Sequence, residues 1–144
     1  MDVCCLNRPF DDQTQERVHI ESEAVMEILS MVQGKKWTMI SSEFIDWEID
    51  RIPEDERRRK VLHLQSLSDD RVSTDENLES RQSILEKMGF QPLDAFHIAA
   101  AEKAEADVIL TTDDSLIKGY KRHKNLIKTR IENPLQFLME VNMP

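Results

Sequence analysis

The amino-acid sequence predicts an α/β domain with a mostly parallel sheet, and three observations carry that expectation. Short apolar, strand-like runs alternate with segments whose apolar residues recur at helical spacing. The run "DVILTT" at 107–112 is apolar without alternation up to its threonines, the pattern of a strand covered on both faces. Composition fits a helix-rich globule, with 33% charged and 40% hydrophobic residues and only 3 glycines and 5 prolines. A chain of 144 residues supports one real core rather than two, so a single domain over 1–144 is expected.

In chain order, "DVCCL" at 2–6 reads as a short buried strand. Val18, Val25, Ile28, Leu29 and Val32 mark a helix from Asp12 to about Val32, with Gly34 as its stop. "WTMIS" at 37–41 reads as a strand and 42–52 as a helix ending at Pro53. A helix over 54–67 carries the basic run 57–60; the polar stretch "SDDRVST" at 68–74 reads as a loop, and 75–88 as a helix closed by Gly89. Pro92 opens a helix over 92–104, because a missing N–H costs nothing in a first turn. The strand at 107–112, a short helix at 114–120, a strand at "LIKTRI" (126–131) and an amphipathic helix from Asn133 complete the chain.

The net charge of −9 and pI of 4.9 repel polyphosphate, so charge alone argues against nucleic acid. That argument fails if several carboxylates gather to hold divalent cations, which change the field a substrate meets. No stretch reaches the length of a membrane span and no basic, apolar signal segment opens the chain, so a cytoplasmic address and no membrane partner are expected. Cys4 and Cys5 are adjacent and cannot link distant segments, in keeping with a reducing compartment.

The informative acids are those in apolar settings. On a helical projection of 42–52, Glu48 falls inside the arc of Phe44, Ile45, Ile49 and Ile52, so it either reaches over the rim to water or sits where its charge is compensated. In "LDAFHIAAA" at 93–101 only Asp94 and His97 interrupt the apolar run. Asp94 in a first turn caps the helix or serves a site, and His97 reads as a satisfied core histidine. Asp113 and Asp114 follow the strand at 107–112, at the carboxyl end where open parallel sheets bind ligands, while capping the next helix needs only one of them. Asp2 stands at the first short strand. Clustered carboxylates repel unless cations hold them, and all-oxygen ligands suit Mg²⁺ or Mn²⁺ better than zinc.

Four stretches, "DVCCLNRPFDD", "SSEFIDWE", "PLDAFHIAAA" and "DVILTTDD", occur in an order that resembles PIN-domain ribonucleases, including the toxin halves of VapC-type toxin–antitoxin pairs. The resemblance spans essentially the whole chain. It implies a parallel sheet with helices on both faces and a catalytic, metal-holding pocket of Asp2, Glu48, Asp94 and Asp113, with Asp114 as the alternate for the last. It further implies Mg²⁺ or Mn²⁺, hydrolysis of RNA, an antitoxin partner and a homodimer. Asn7, Arg8 and Ser42 are candidate substrate contacts, although Arg8 can equally pair with Asp11 or Asp12. The basic run 57–60 reads as a solvated helix face, and Trp47 as core or interface. Similar proteins carry several apolar residues ahead of the first aspartate where Met1 alone stands here, so either the first strand is short or the sequence begins later than in similar proteins, and in both cases a terminal ammonium near Asp2 is expected. The alternative is a PIN-fold binding or regulatory protein that does not cleave. The four acids favour the enzyme; the short strand and acidic surface favour the alternative.

Overall fold

The computed structural model describes residues 1–142. Strands β1 (Ile40–Ser42), β2 (Asp70–Val72), β3 (Val108–Leu110) and β4 (Arg130–Glu132) alternate with eight helices: α1 (Val3–Asn7), α2 (Glu16–Gln33), α3 (Glu43–Asp50), α4 (Asp55–Gln65), α5 (Glu76–Lys87), α6 (Pro92–Lys103), α7 (Asp114–Arg122) and α8 (Pro134–Val141). Local chemistry sets many of the boundaries. Ser42, Asp75 and Asn133 cap α3, α5 and α8 through their side-chain oxygens, and Gly89, at φ 109°, takes the left-handed turn after α5.

The strands pair in parallel, as expected, with Ile40 opposite Asp70 and Val108 opposite Arg130. They form two separate two-stranded sheets, β1–β2 and β3–β4, rather than one continuous sheet. Successive strand side chains point to opposite faces. Leu110 therefore joins the core made with Ala24, Val25 and Ile28 of α2, while Ile109 joins the core made with Phe96 and Ile98 of α6 and Leu116 of α7. Helices thus cover both faces of the strand layer.

Three expectations are corrected. Residues 2–6 are not a strand: Asp2 keeps an extended backbone, its carboxylate accepts the Val3 N–H at 2.7 Å, and α1 begins there. The N–H of Asp2 donates to the Leu110 carbonyl at 2.9 Å, so extended chain ends at the aspartate instead of starting from it. An apolar run of four residues is too short to separate a period of 2 from one of 3.6. The stretch 68–74 is not all loop, because β2 lies within it; Asp70 and Arg71 are exposed on this edge strand and hide it from a hydrophobic pattern. Finally, "LIKTRI" begins in a 3-10 turn, Lys124–Leu126, and the strand starts only at Arg130.

Glu21 of α2 is 2% exposed and lies at a junction of three segments. It accepts from Arg8 Nε at 2.9 Å, from Arg17 Nε at 3.3 Å and from Asn133 Nδ2 at 2.5 Å. A buried carboxylate is tolerated because charged and amide donors replace its water.

Candidate functional site

Four elements deliver acids to the carboxyl ends of β1 and β3. Asp2 precedes α1, and Glu48 projects from α3, which is anchored by the Ser42 cap and the buried Ile45 and Ile49. Asp94 lies in the first turn of α6 and His97 one turn later, while Asp113 caps α7 directly after β3. Asp2, Glu48 and His97 each offer a ligand atom within 4.8 Å of the others. His97 Nε2 lies 2.7 Å from Glu48 Oε1, and its side chain is 9% exposed. The histidine is satisfied and buried, yet its partner is a site acid.

Thr111, fully buried at the end of β3, ties two of the acids together. Its hydroxyl donates to Asp2 Oδ2 at 3.1 Å and accepts the Asp113 N–H at 3.1 Å. The sequence places two threonines beside the aspartates at the end of this strand without assigning Thr111 a role, and it does not reveal the Glu48–His97 bond. The polar ending of an otherwise apolar strand was the available signal for the first; a pairing across 49 positions left none for the second.

Asp94 feels the charges of the other three acids. Burial raises its pKa first, the charges of Asp113 and Asp2 next, with Glu48 adding and His97 opposing, to about 6. Burial pulls the His97 imidazole down, but the bond to Glu48 and the charges of Asp2, Glu48 and Asp94 outweigh it, and the net shift is upward. The hard carboxylate oxygens, together with negative charge that burial leaves poorly compensated, fit a divalent cation.

A stability signature follows. Because the folded pKa of Asp94 lies above its ordinary 3.8, its contribution is most favourable below about pH 4 and is lost as pH rises through about 6. Without metal at pH 7.5, Asp94→Asn is therefore expected to melt above the unsubstituted protein, by on the order of 1 kcal/mol after discounting for partial exposure. The gap should close by about pH 4, and excess Mn²⁺ should reverse the order by stabilising only the chain with its aspartate. Melting curves with and without Mn²⁺ across this pH range check all three.

A family model of the PIN domain matches residues 7–122, well over half the chain. The chain belongs to the PIN-domain family. No curated protein and no solved structure gives a match. PIN domains have a nuclease-type fold and typically use divalent metals, and those that are nucleases act on RNA. The matched span contains Glu48, Asp94 and Asp113 and begins after Asp2. Among the described residues no helix is long and apolar enough to cross a membrane.

The other candidates in this PIN domain have protein partners. Asp114 turns away from the cluster: its two oxygens accept from Arg17 Nη1 and Nη2 at 2.8 and 2.9 Å, and this bond lowers its pKa. Asn7 donates to the Val3 carbonyl and accepts from Arg57, and Arg8 bonds Glu21 and Asp11. Ser42 is buried and caps α3 by accepting the Ile45 N–H at 3.3 Å. Every member of the basic run has an acidic partner: Arg57 with Asp11, Arg58 and Arg59 with Asp55, and Lys60 with Glu56. Trp47 is not core; it is 48% exposed with the Arg51 guanidinium stacked 4.0 Å from its ring.

Proposed function

We propose that this PIN domain hydrolyses RNA phosphodiester bonds at a divalent-metal site held by Asp2, Glu48, Asp94 and Asp113. The observation that carries the reading is the convergence of these acids on Asp94, whose raised pKa registers the charges of the other three. When bound, Mg²⁺ or Mn²⁺ supplies the positive charge that polarises a phosphoryl group and activates water. The chain's own residues do the rest. The four carboxylates bind, Thr111 orients Asp2, and the proton between His97 Nε2 and Glu48 Oε1 fixes the rotamer of Glu48. Neutralising the acids also relieves the repulsion that a net charge of −9 presents to RNA. A toxin role restrained by an antitoxin, a homodimer and a cytoplasmic address rest on the sequence reading alone.

The second reading is a PIN-fold binding protein that does not cleave. It draws support from the basic run 57–60, whose members are all engaged by acids and do not offer a free cationic face to RNA. Cleavage of a labelled single-stranded RNA separates the two. Cutting in Mn²⁺ and none in EDTA is the expected result; equal inertness in both moves the assignment to the second reading.

A further inference from the structure

Residues 115–131 differ in charge from the rest of an acidic chain. They hold six of its 19 lysines and arginines and none of its 28 aspartates and glutamates. The stretch takes in most of α7, the 3-10 turn Lys124–Leu126 and the entry to β4. At 100° per residue, Lys118, Lys121 and Arg122 share an arc of about 100° on α7. Leu116, Ile117, Gly119 and Tyr120 are buried on the remainder of the helix, and Lys124 follows just beyond its end. All four cations are exposed, and among the described residues none has an acidic partner, whereas the basic run 57–60 is paired throughout. The helix dipole accounts for Lys121 and Arg122 in the last turn. It accounts neither for Lys118 in the middle of the helix nor for Lys124 past its end. The other two cations lie outside this face: Arg130 pairs with Glu132 and Glu140, and Lys128 acts on Glu102.

We propose that the exposed face of α7, from Lys118 to Lys124, holds the phosphodiester backbone of single-stranded RNA as it enters the acid site. The proposal rests on the reading of that site as an RNA hydrolase and adds the surface that binds the substrate. Position supports it first. Asp113, a site acid, caps α7, so one helix carries a site carboxylate at its amino end and cations along its length. The span from Asp113 to Arg122 is about 13 Å, at about 1.5 Å per residue. Arg17 is the main cause that lowers the Asp114 pKa, and the Lys118 charge adds to it, so this lysine acts at the rim of the site. Chemistry supports it second. Lysines without carboxylate partners are free to neutralise phosphates and release their counterions. A row of point charges along one helix follows one backbone and reads no base, so binding is sequence-tolerant and salt-dependent. An anionic membrane surface fits less well. It calls for an apolar stripe beside the cations, and in residues 115–131 the exposed large apolar side chain is Leu126 alone.

The test reads binding of a labelled single-stranded RNA by fluorescence anisotropy over a range of salt, in the Asp94→Asn background so that affinity is measured without cleavage. Lys118→Gln/Lys121→Gln/Lys124→Gln is compared with Lys36→Gln/Lys60→Gln/Lys87→Gln, exposed lysines elsewhere whose loss changes the net charge equally. The first triple variant is expected to bind at least about tenfold more weakly at low salt. Its plot of log affinity against log salt should be shallower by about 2, from about 0.7 per lost phosphate contact on a single strand. The second should stay within about threefold with its slope unchanged. Lys118→Arg/Lys121→Arg/Lys124→Arg should keep the original slope, a rescue that a merely structural role would not require. Equal weakening by both glutamine triples, an unchanged slope in the first, or no RNA binding by the chain that keeps its lysines overturns the proposal. So does binding to phosphatidylserine vesicles without binding to RNA, which would make this face a membrane contact. RNA held through these lysines by a chain that keeps its four acids and does not cut in Mn²⁺ would uphold the surface and remove the hydrolase reading, so the two failures are told apart.

Discussion

Replacing Asp94 and Asp113 together by asparagine is expected to lower Mn²⁺-dependent cleavage of single-stranded RNA by at least about 100-fold, equivalent to roughly 2.7 kcal/mol of transition-state stabilisation. Both residues sit at the carboxyl end of the strand layer, and Asp113 is the first-ranked charge acting on Asp94. Asparagine keeps shape and much of the hydrogen bonding, so the Asp113 cap of α7 survives while the charge does not. Asp114→Asn is the matched control. Its carboxylate faces Arg17, so cleavage is expected to stay within about threefold of the unsubstituted chain. Initial rates at saturating Mn²⁺, on proteins shown by melting to be folded, check both outcomes; equal losses in the control and the double variant would place the site elsewhere.

Glu21→Ala is expected to cost about 2–4 kcal/mol and to lower the melting temperature by roughly 6–14 °C. The loss has two parts. Arg8 and Asn133 lose a shared acceptor in a largely buried place, and the junction between α2, the Arg8 turn and α8 loses its only charged tie among the described residues. Arg17 is half exposed and recovers water readily, which keeps the cost below that of breaking a fully enclosed pair. Glu21→Gln separates charge from geometry. It retains an oxygen acceptor, so it should lose less than the alanine variant, and denaturant unfolding of the three chains orders them.

What could be read from residues alone divides by the range of the interaction. Helix boundaries were legible where a cap lies next to the helix it serves, as with Ser42, Asn133 and Gly89. The strand at 107–112 was legible because burial on both faces leaves an unbroken apolar run. Glu48 in α3 and Asp94 in α6 stood out as candidates because a carboxylate inside an apolar stretch contradicts the local pattern. Pairings across the fold were not legible. The choice between Asp113 and Asp114 depends on Arg17, 97 positions from Asp114, and the environment of Glu48 depends on His97 in another helix. At Asp2, four apolar residues after a charge suit a strand or a capped helix equally, and only the hydrogen bonds to Val3 and Leu110 distinguish them.

Isothermal titration of Mn²⁺ into the unsubstituted chain and into Asp94→Asn at pH 7.5 asks whether Asp2, Glu48, Asp94 and Asp113 form one divalent-metal site. Saturable binding to the first and affinity at least about tenfold weaker in the second, a difference of roughly 1.4 kcal/mol, is the predicted result. No saturable binding to the unsubstituted chain, or the same affinity in both, would contradict it.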